Sequence, residues 1–140
     1  MNRIREYKED DLQDLYELYL DCFYDNPVPF WQFKESVEKG RTYVLDYSGL
    51  KAFVISFIED DEPWIWAIGT NQFMRGLGIG NKLLERVEEY YESLNYKRIN
   101  LFVGQSNPAQ KLYFDRGYRI KRVVKDIYKT EDALKMIKEL

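Results

Sequence analysis

The sequence of 140 residues contains no histidine and only one cysteine, Cys22. Without histidine, serine–histidine and cysteine–histidine catalytic pairs are excluded, and so are histidine-ligated metal sites. One cysteine supports neither an internal disulfide nor a thiolate zinc site. Any chemistry must therefore come from carboxylates, tyrosines, lysines, backbone amides or a bound cofactor, and we expect no metal.

Long apolar runs and an excess of one charge are also missing. No stretch approaches the roughly 18–20 apolar residues that cross a bilayer, and the N-terminus lacks the apolar core of a signal peptide. The 21 basic and 24 acidic residues leave a net charge of −3, a balance that argues against the basic face used to bind nucleic acid. We expect a soluble, cytoplasmic protein with no membrane or nucleic-acid partner. Its length suits one domain over 1–140.

The hydrophobic pattern predicts helices first, then antiparallel strands, then a βαβ unit. The first helix begins at Asp10 or Asp11, and a second runs from Pro29 to Gly40. Strand-like segments separated by turns follow at 42–46, 51–58 and 64–70. A strongly amphipathic helix over 83–94 and a strand at 98–103 then complete the βαβ unit, whose two strands should be parallel.

The last third of the chain continues this mixed pattern. A short helix begins after Asn107, where proline occupies the first turn, and it ends at Gly117. A strand is predicted at 118–127. The tail, 131–140, is ambiguous, because its composition favours a helix while its apolar residues alternate as in a strand. Antiparallel strands followed by one βαβ unit indicate a mixed α+β sheet.

A glycine-rich loop joins the third strand to the amphipathic helix. Its residues are Arg75, Gly76, Leu77, Gly78, Ile79 and Gly80. The glycines permit positive φ and a close approach of ligand to backbone. The free N–H groups and the dipole at the start of the helix favour an anion such as a pyrophosphate. The spacing Gly76-x-Gly78-x-Gly80 does not fit the G-x-G-x-x-G of a Rossmann loop, and no acidic residue ends the strand at 98–103. A Walker loop needs Gly-Lys-Ser/Thr, whereas Gly80 is followed by Asn81 and Lys82. A glycine-rich turn without a phosphate is the alternative.

Two motifs in register carry a family resemblance. The pattern Arg75-x-x-Gly78-x-Gly80 resembles the Q/R-x-x-G-x-G/A signature of the GNAT superfamily of N-acetyltransferases. Residues 107–118, N-P-A-Q-K-L-Y-F-D-R-G-Y, resemble its second motif, N-x-A-x-x-L-Y-x-x-x-G-F/Y, one helix and one strand downstream. The resemblance implies the GNAT fold, a splayed mixed sheet of six or seven strands with helices on both faces.

The tail carries a narrower resemblance. Residues 127–136 are similar to the Y-Y-x-x-x-E-D-A-x-x-M ending of RimI-like and other protein N-terminal acetyltransferases, with one residue fewer between Tyr128 and Glu131. This likeness implies that the tail is a strand, although its composition favours a helix.

The GNAT resemblance implies a binding cleft for acetyl-CoA where the third strand parts from its neighbour. Backbone N–H groups of the glycine-rich loop would hold the pyrophosphate, and the end of the strand would pair with the pantetheine arm. The implied cofactor contacts are Ile68, Gly69, Thr70, Arg75, Gly76, Leu77, Gly78, Ile79, Gly80, Asn81, Asn107 and Tyr113.

The resemblance specifies the catalytic acid better than the base. Tyr113 matches the general acid, whose phenol protonates the departing thiolate; the alternative is an ordinary packing role. RimI-like enzymes carry a glutamate at the position of Phe102, and other members carry one at the position of Trp64. Glu62, two residues before Trp64 with the same strand parity, is the candidate catalytic base. The alternative for Glu62 is an exposed hairpin carboxylate.

The lack of a glutamate at Phe102 and Trp64 favours an acceptor amine with a low pKa. A lysine side-chain amine has a pKa of about 10.4 and an α-amine one of about 7.7–8.0, so an α-amine can lose its proton to water without a dedicated base. We therefore expect acetyl transfer to the α-amine of a protein or peptide. A small amine such as a polyamine, an amino acid or an antibiotic is one alternative, and a non-catalytic acyl-CoA-binding module is another. The resemblance leaves a homodimer open.

Overall fold

The computed structural model describes residues 3–140, which form a seven-stranded mixed sheet with helices on both faces. The strands are β1 Ile4–Glu6, β2 Gly40–Asp46, β3 Leu50–Glu59, β4 Glu62–Thr70, β5 Arg98–Gly104, β6 Arg119–Val124 and β7 Ala133–Glu139. The helices are α1 Leu12–Cys22, α2 Phe30–Glu38, α3 Ile79–Ser93 and α4 Gln110–Asp115. The strand order is β1-β2-β3-β4-β5-β7-β6. This arrangement confirms the predicted fold class, while the domain predicted over 1–140 includes two residues that lie outside the described ones.

The predicted helices and strands are present, with differences in their extent. The strand predicted at 118–127 ends at Val124, and 125–132 forms a loop. Gly40, predicted to end the second helix, is instead the first residue of β2. Glycine is needed there because a Cβ would lie 2.5 Å from the backbone of Phe57 on β3. Strand β1 escapes prediction from the sequence, since three residues are too few for a periodic pattern. The tail is strand β7, as the family resemblance implies.

Two hydrophobic cores cover the two faces of the sheet. On one face, α3 and α4 bury the side chains Leu83, Leu84, Val87, Tyr91 and Tyr113. On the other face, α1 and α2 bury Leu15, Leu18, Tyr19, Phe33 and Val37. Both sets recur at the helical period that the sequence displays, so the apolar stripes decide which side of each helix meets the sheet. Between residues 3 and 140, no helix is long and apolar enough to cross a membrane.

The sheet opens between β4 and β5. These two strands are parallel, as predicted, but they pair only at Trp64 with Asn100 and at Ile65 with Leu101. Both strands continue beyond these positions without pairing to each other. The two strands therefore diverge after Ile65 and Leu101, and a cleft separates their C-terminal ends.

A β-bulge in β4 accompanies this separation. Ala67 pairs with Ile55 on β3, whereas Ile65 pairs with Ser56, so Trp66 is an extra residue in β4. A bulge bends its strand and increases the local twist. The bulge lies immediately after the last residue of β4 that pairs with β5, and it directs the end of β4 away from β5.

A buried carboxylate ties the elements behind the cleft together. Glu88 on α3 is only 5% exposed, and it accepts hydrogen bonds from Arg116 at 2.5 Å, Lys138 at 2.8 Å and Tyr118 at 2.9 Å. Burial opposes the charge of Glu88, but the hydrogen bonds from Arg116, Lys138 and Tyr118 outweigh it and lower the pKa of this carboxyl. Arg116 also donates to Asn81 Oδ1 at 2.8 Å. The network thus connects α3, the end of α4, the start of β6 and β7.

Replacing Glu88 by alanine should destabilise the fold more than any exposed substitution on the same helix. The variant leaves Arg116 and Lys138 half-buried without their anion, and breaking a buried ion pair costs about 3–5 kcal/mol. Urea unfolding at pH 7 measures the free energy of unfolding, with Glu89→Ala as the control because Glu89 is the exposed neighbour. Equal stability of the two variants would contradict the role of the network.

Lowering the pH should reduce the free energy of unfolding of the wild type, because the Glu88 carboxyl becomes protonated. The folded-state pKa of Glu88 is depressed, so its stabilisation is complete above the unfolded-state pKa and is lost as the pH falls through the folded-state pKa.

Candidate active site

The cleft between β4 and β5 contains a cavity of about 410 Å³. Its walls come from α1, the bulged end of β4, the start of α3, the β5–α4 connection and α4. The lining residues are Cys22, Phe23, Trp66, Ala67, Ile68, Gly69, Thr70, Arg75, Gly80, Phe102, Val103, Asn107, Pro108, Ala109, Leu112, Tyr113 and Tyr128. The cavity therefore brings together residues of both family motifs, which are separated by a helix and a strand in the sequence.

The glycine-rich loop has the conformation expected of an anion site. Gly76 has φ 79° and Gly78 has φ 76°, both in the left-handed region. Gly78 is the N-cap of α3, and no side chain caps this helix, so the N–H groups of its first turn remain free for a ligand. The loop lines a recess of about 240 Å³ that also contains Asn81. Positive charge at the helix N-terminus favours a phosphate in this recess.

The three loop glycines serve two different purposes. A Cβ at Gly76 or Gly78 would meet nothing within 4 Å, so these positions need glycine for their backbone angle and not for space. A Cβ at Gly80 would lie 3.1 Å from Leu112 on α4. Gly80 therefore lets α3 and α4 approach each other at the cavity wall.

The side chain of Arg75 points back to the sheet. Its Nε donates to the carbonyl oxygen of Thr70 at 3.1 Å, and this bond ties the loop to the end of β4. The neighbouring Gly69 is packed tightly, since a Cβ there would lie 2.8 Å from Cys22 Sγ and from the Phe53 ring. The end of β4 is thus held against α1 on one side while its other side faces the cavity. Leu77, in the loop itself, is 64% exposed.

Tyr113 lies in the wall of the cavity. The residue is only 6% exposed, and its ring packs edge-on against Tyr118 at 5.8 Å. Among residues 3–140, no group forms a hydrogen bond with its hydroxyl. Burial, with a smaller contribution from Tyr128, raises the pKa of Tyr113 above 10, so the phenol remains protonated at neutral pH. Asn107 lines the same cavity and caps the following turn, with Oδ1 accepting from Ala109 N at 2.9 Å.

A second cavity of about 400 Å³ adjoins the first. The two share Phe23, Trp66, Ala67, Phe102 and Tyr128 in their walls. The remaining residues that line the second cavity are Tyr19, Asn26, Val28, Phe57, Glu59, Trp64, Ile65 and Ile127. It is bounded by the α1–α2 connection and by the loop before β7. An acceptor can therefore reach the cleft from the side opposite the glycine-rich loop.

Glu62 lies outside the walls of both cavities. Its carboxylate accepts a hydrogen bond from Asn100 Nδ2 at 2.8 Å and forms an ion pair with Arg98 at 3.6 Å. Glu62 has the same strand parity as Trp64 and contacts the buried Asn100. It precedes Trp64 by two residues on β4 and is therefore further from the cleft. The structure does not bring Glu62 together with Tyr113 in the cavity, and its role as a base stays a prediction.

An aromatic pair occupies the two positions at which the family resemblance leads us to expect a glutamate. The rings of Trp64 and Phe102 lie 5.1 Å apart and form part of the second cavity wall. Trp66 and Glu59 also line this cavity, although no motif identifies them in the sequence, and Tyr128 of the tail segment 127–136 lines it as well. Trp66 reaches the cavity wall because of the bulge in β4, and Tyr128 reaches it because the loop before β7 folds over the cleft. Over the described range 3–140, no group of three or more acidic or cysteine side chains is arranged to hold a metal ion.

Comparison with known proteins agrees with this geometry. The model of the acetyltransferase (GNAT) family matches residues 8–118. An uncharacterized N-acetyltransferase of Methanocaldococcus jannaschii is 32% identical over 149 residues, covering 97% of this chain and 90% of the relative. The chain therefore belongs to the GNAT acetyltransferase family. It is an acetyl-CoA-dependent N-acetyltransferase.

Solved structures show the same fold. The ribosomal-protein-S18-alanine N-acetyltransferase of Escherichia coli has a TM-score of 0.89 and 25% identity, over 99% of this chain and 94% of that one. A GNAT family acetyltransferase of Elizabethkingia anophelis, solved with acetyl-CoA bound, has a TM-score of 0.81 and 21% identity, over 98% and 97% of the two chains.

Gly78→Glu should abolish acetyl-CoA binding. The new carboxylate would enter the open recess where we predict the pyrophosphate, and two like charges about 4 Å apart at an effective dielectric near 20 repel by about 4 kcal/mol. We expect the dissociation constant, measured by calorimetry, to rise at least about 100-fold. Gly78→Ala is the control, because it introduces the same backbone strain without the charge and should retain most of the binding. Wild-type affinity in Gly78→Glu would refute the assignment of the loop.

Proposed function

We propose that this enzyme acetylates the α-amine of a protein or peptide N-terminus. The observation that carries the proposal is the composition of the wall where the two cavities meet. Its five residues (Phe23, Trp66, Ala67, Phe102 and Tyr128) include no carboxylate. An acceptor ammonium that reaches this point must already have lost its proton. Near pH 7.4, roughly a quarter of an α-amine is neutral, against roughly 0.1% of a lysine amine.

The shape of the second cavity supports a peptide acceptor. Its walls are largely aromatic, so it suits an apolar side chain on the first residue of the acceptor. Asn26 and Val28 of the α1–α2 connection and Ile127 and Tyr128 of the loop before β7 also line it, and these two segments would contact the following residues of a peptide. The likeness to the Escherichia coli enzyme, whose acceptor is an alanine of ribosomal protein S18, also supports this acceptor class.

The residues of the cleft suit a direct transfer. Backbone N–H groups of the loop at 75–81 hold the pyrophosphate, Asn107 contacts the cofactor, and the unpaired edge at 68–70 binds the pantetheine arm. An N–H of this edge also polarises the thioester carbonyl. The neutral amine attacks that carbonyl, the carbon–sulfur bond breaks, and Tyr113 gives its proton to the departing thiolate. The amine loses its second proton to water, and water restores the proton of Tyr113.

The acceptor class is tested by measuring CoA release with matched acceptors. We expect turnover with peptides that have a free, apolar first residue, and none with the same peptides formylated at the N-terminus but carrying an internal lysine. Spermidine and free amino acids serve as the small-amine controls. Turnover confined to spermidine, free amino acids or lysine side chains would refute an N-terminal acceptor.

Tyr113→Phe tests the acid. Phenylalanine keeps the packing against Tyr118 and removes only the hydroxyl, so the KM for acetyl-CoA should change little. General acid catalysis contributes about 10²–10⁴-fold, and we expect kcat to fall by at least about 100-fold. Because the pKa of Tyr113 is raised, wild-type kcat should show no loss between pH 8 and about pH 10 from ionisation of the acid. An unchanged kcat in the variant would assign Tyr113 to packing alone.

A further inference from the structure

Two cations lie side by side on the sheet next to the second cavity. Lys135 on β7 pairs with Phe102 on β5 on one side and with Arg122 on β6 on the other. Residues paired across neighbouring strands point to the same face of a sheet. Phe102 lines the second cavity, so Lys135 and Arg122 lie on the same face of the sheet as this cavity, beside it on β7 and β6.

The position of the lysine ammonium supports the same arrangement. Lys135 Nζ lies 5.2 Å from the centre of the Trp64 ring, and Trp64 packs on Phe102 at 5.1 Å. Trp64 also lines the second cavity. The charge of Lys135 is therefore held beside the aromatic wall against which we place the acceptor.

The two cations have no anionic partner within residues 3–140. Two neighbouring basic side chains are paired, Arg98 with Glu62 and Lys125 with Asp132, but neither Lys135 nor Arg122 forms an ion pair with a described carboxylate. Glu59, the carboxylate that lines the second cavity, makes no such contact with them either. Like charges directly opposite each other on neighbouring strands destabilise a sheet. Fold stability therefore does not account for this pair.

We propose that Lys135 and Arg122 select acceptors that carry a carboxylate close to the reacting amine, namely an Asp or Glu at the second or third residue of the peptide. This inference rests on the proposed N-terminal function. With the first side chain in the aromatic cavity and the α-amine toward the cleft, the next residues pass over the face formed by β7 and β6. Their acidic side chain supplies the anion that the two cations lack.

The test compares kcat/KM for peptides that differ only at the second or third residue, which is Asp, Asn or Lys. In the wild type we expect Asp to exceed Asn about fivefold, and we expect the preference to weaken in high salt because the charges are partly exposed. The double variant R122M/K135M keeps the apolar stems and should treat Asp and Asn alike. R122E/K135E should prefer Lys to Asp. K97E is the control for net charge, because Lys97 is exposed and precedes β5, and it should keep the wild-type preference.

Two further measurements separate recognition from folding and from cofactor binding. R122M/K135M relieves the repulsion between like charges, which offsets the lost contact of Lys135 with the Trp64 ring, so its melting temperature should change little, and its KM for acetyl-CoA should match that of the wild type. A raised KM for acetyl-CoA would assign the cations to the cofactor and overturn the proposal.

The acceptor results separate this proposal from the proposed function. Peptide turnover that is indifferent to charge at the second and third residues would overturn the selection by Lys135 and Arg122 and leave the N-terminal function intact. Turnover with free aspartate but with no peptide would overturn both.

Discussion

The parting of β4 from β5 determines where everything else in the site lies. Two residue pairs join the strands, and the bulge at Trp66 then turns β4 away. The backbone groups of the segment 68–70 that face β5 thereby lose the partners that a continuous sheet would provide. Leaving such groups unsatisfied costs about 1–3 kcal/mol each when they are buried. The cleft is consequently suited to an extended ligand with amide groups of its own, which can complete the interrupted sheet.

The elements around this cleft are held by interactions that lie away from it. The carboxylate of Glu88 fixes α3, the end of α4 and β7 relative to one another, and Arg116 extends this network to Asn81 beside the glycine-rich loop. Arg75 joins the other end of the loop to Thr70. The loop and Tyr113 are thus positioned from both sides, although they are 33 residues apart or more in the sequence. Hydrogen bonds around a site in this way keep catalytic groups oriented before the substrate binds.

The sequence predicts the structure around the glycine-rich loop and α4 well, because local patterns specify these elements. The glycines that adopt positive φ, the amphipathic α3 and the Asn107 cap are all visible as short-range signals. The βαβ unit follows from the order of these elements and from the handedness of such connections. The two motifs lie in one cavity because parallel strands bring their carboxyl ends together.

The acceptor side is much less predictable, since it depends on contacts between distant residues. No local signal marks the bulge at Trp66, which follows from the register of β4 on β3. The alternation of side chains along β4 predicts that Glu62 lies on the same face as Trp64. Only the structure shows that Asn100 and Arg98 contact its carboxylate. The adjacency of Lys135 and Arg122 likewise depends on the order of β7 and β6 in the sheet. The acceptor side is therefore the part of the site for which the structure adds most.

Amide hydrogen exchange with and without acetyl-CoA tests most directly whether the opened strand binds the cofactor. If the ligand completes the sheet at β4, exchange at 68–70 and at 76–81 should slow markedly on binding, while exchange in β1 and β2 should not change. Protection confined to other surfaces, with 68–70 exchanging as fast in the complex as in the free enzyme, would contradict the central role of the parted strands.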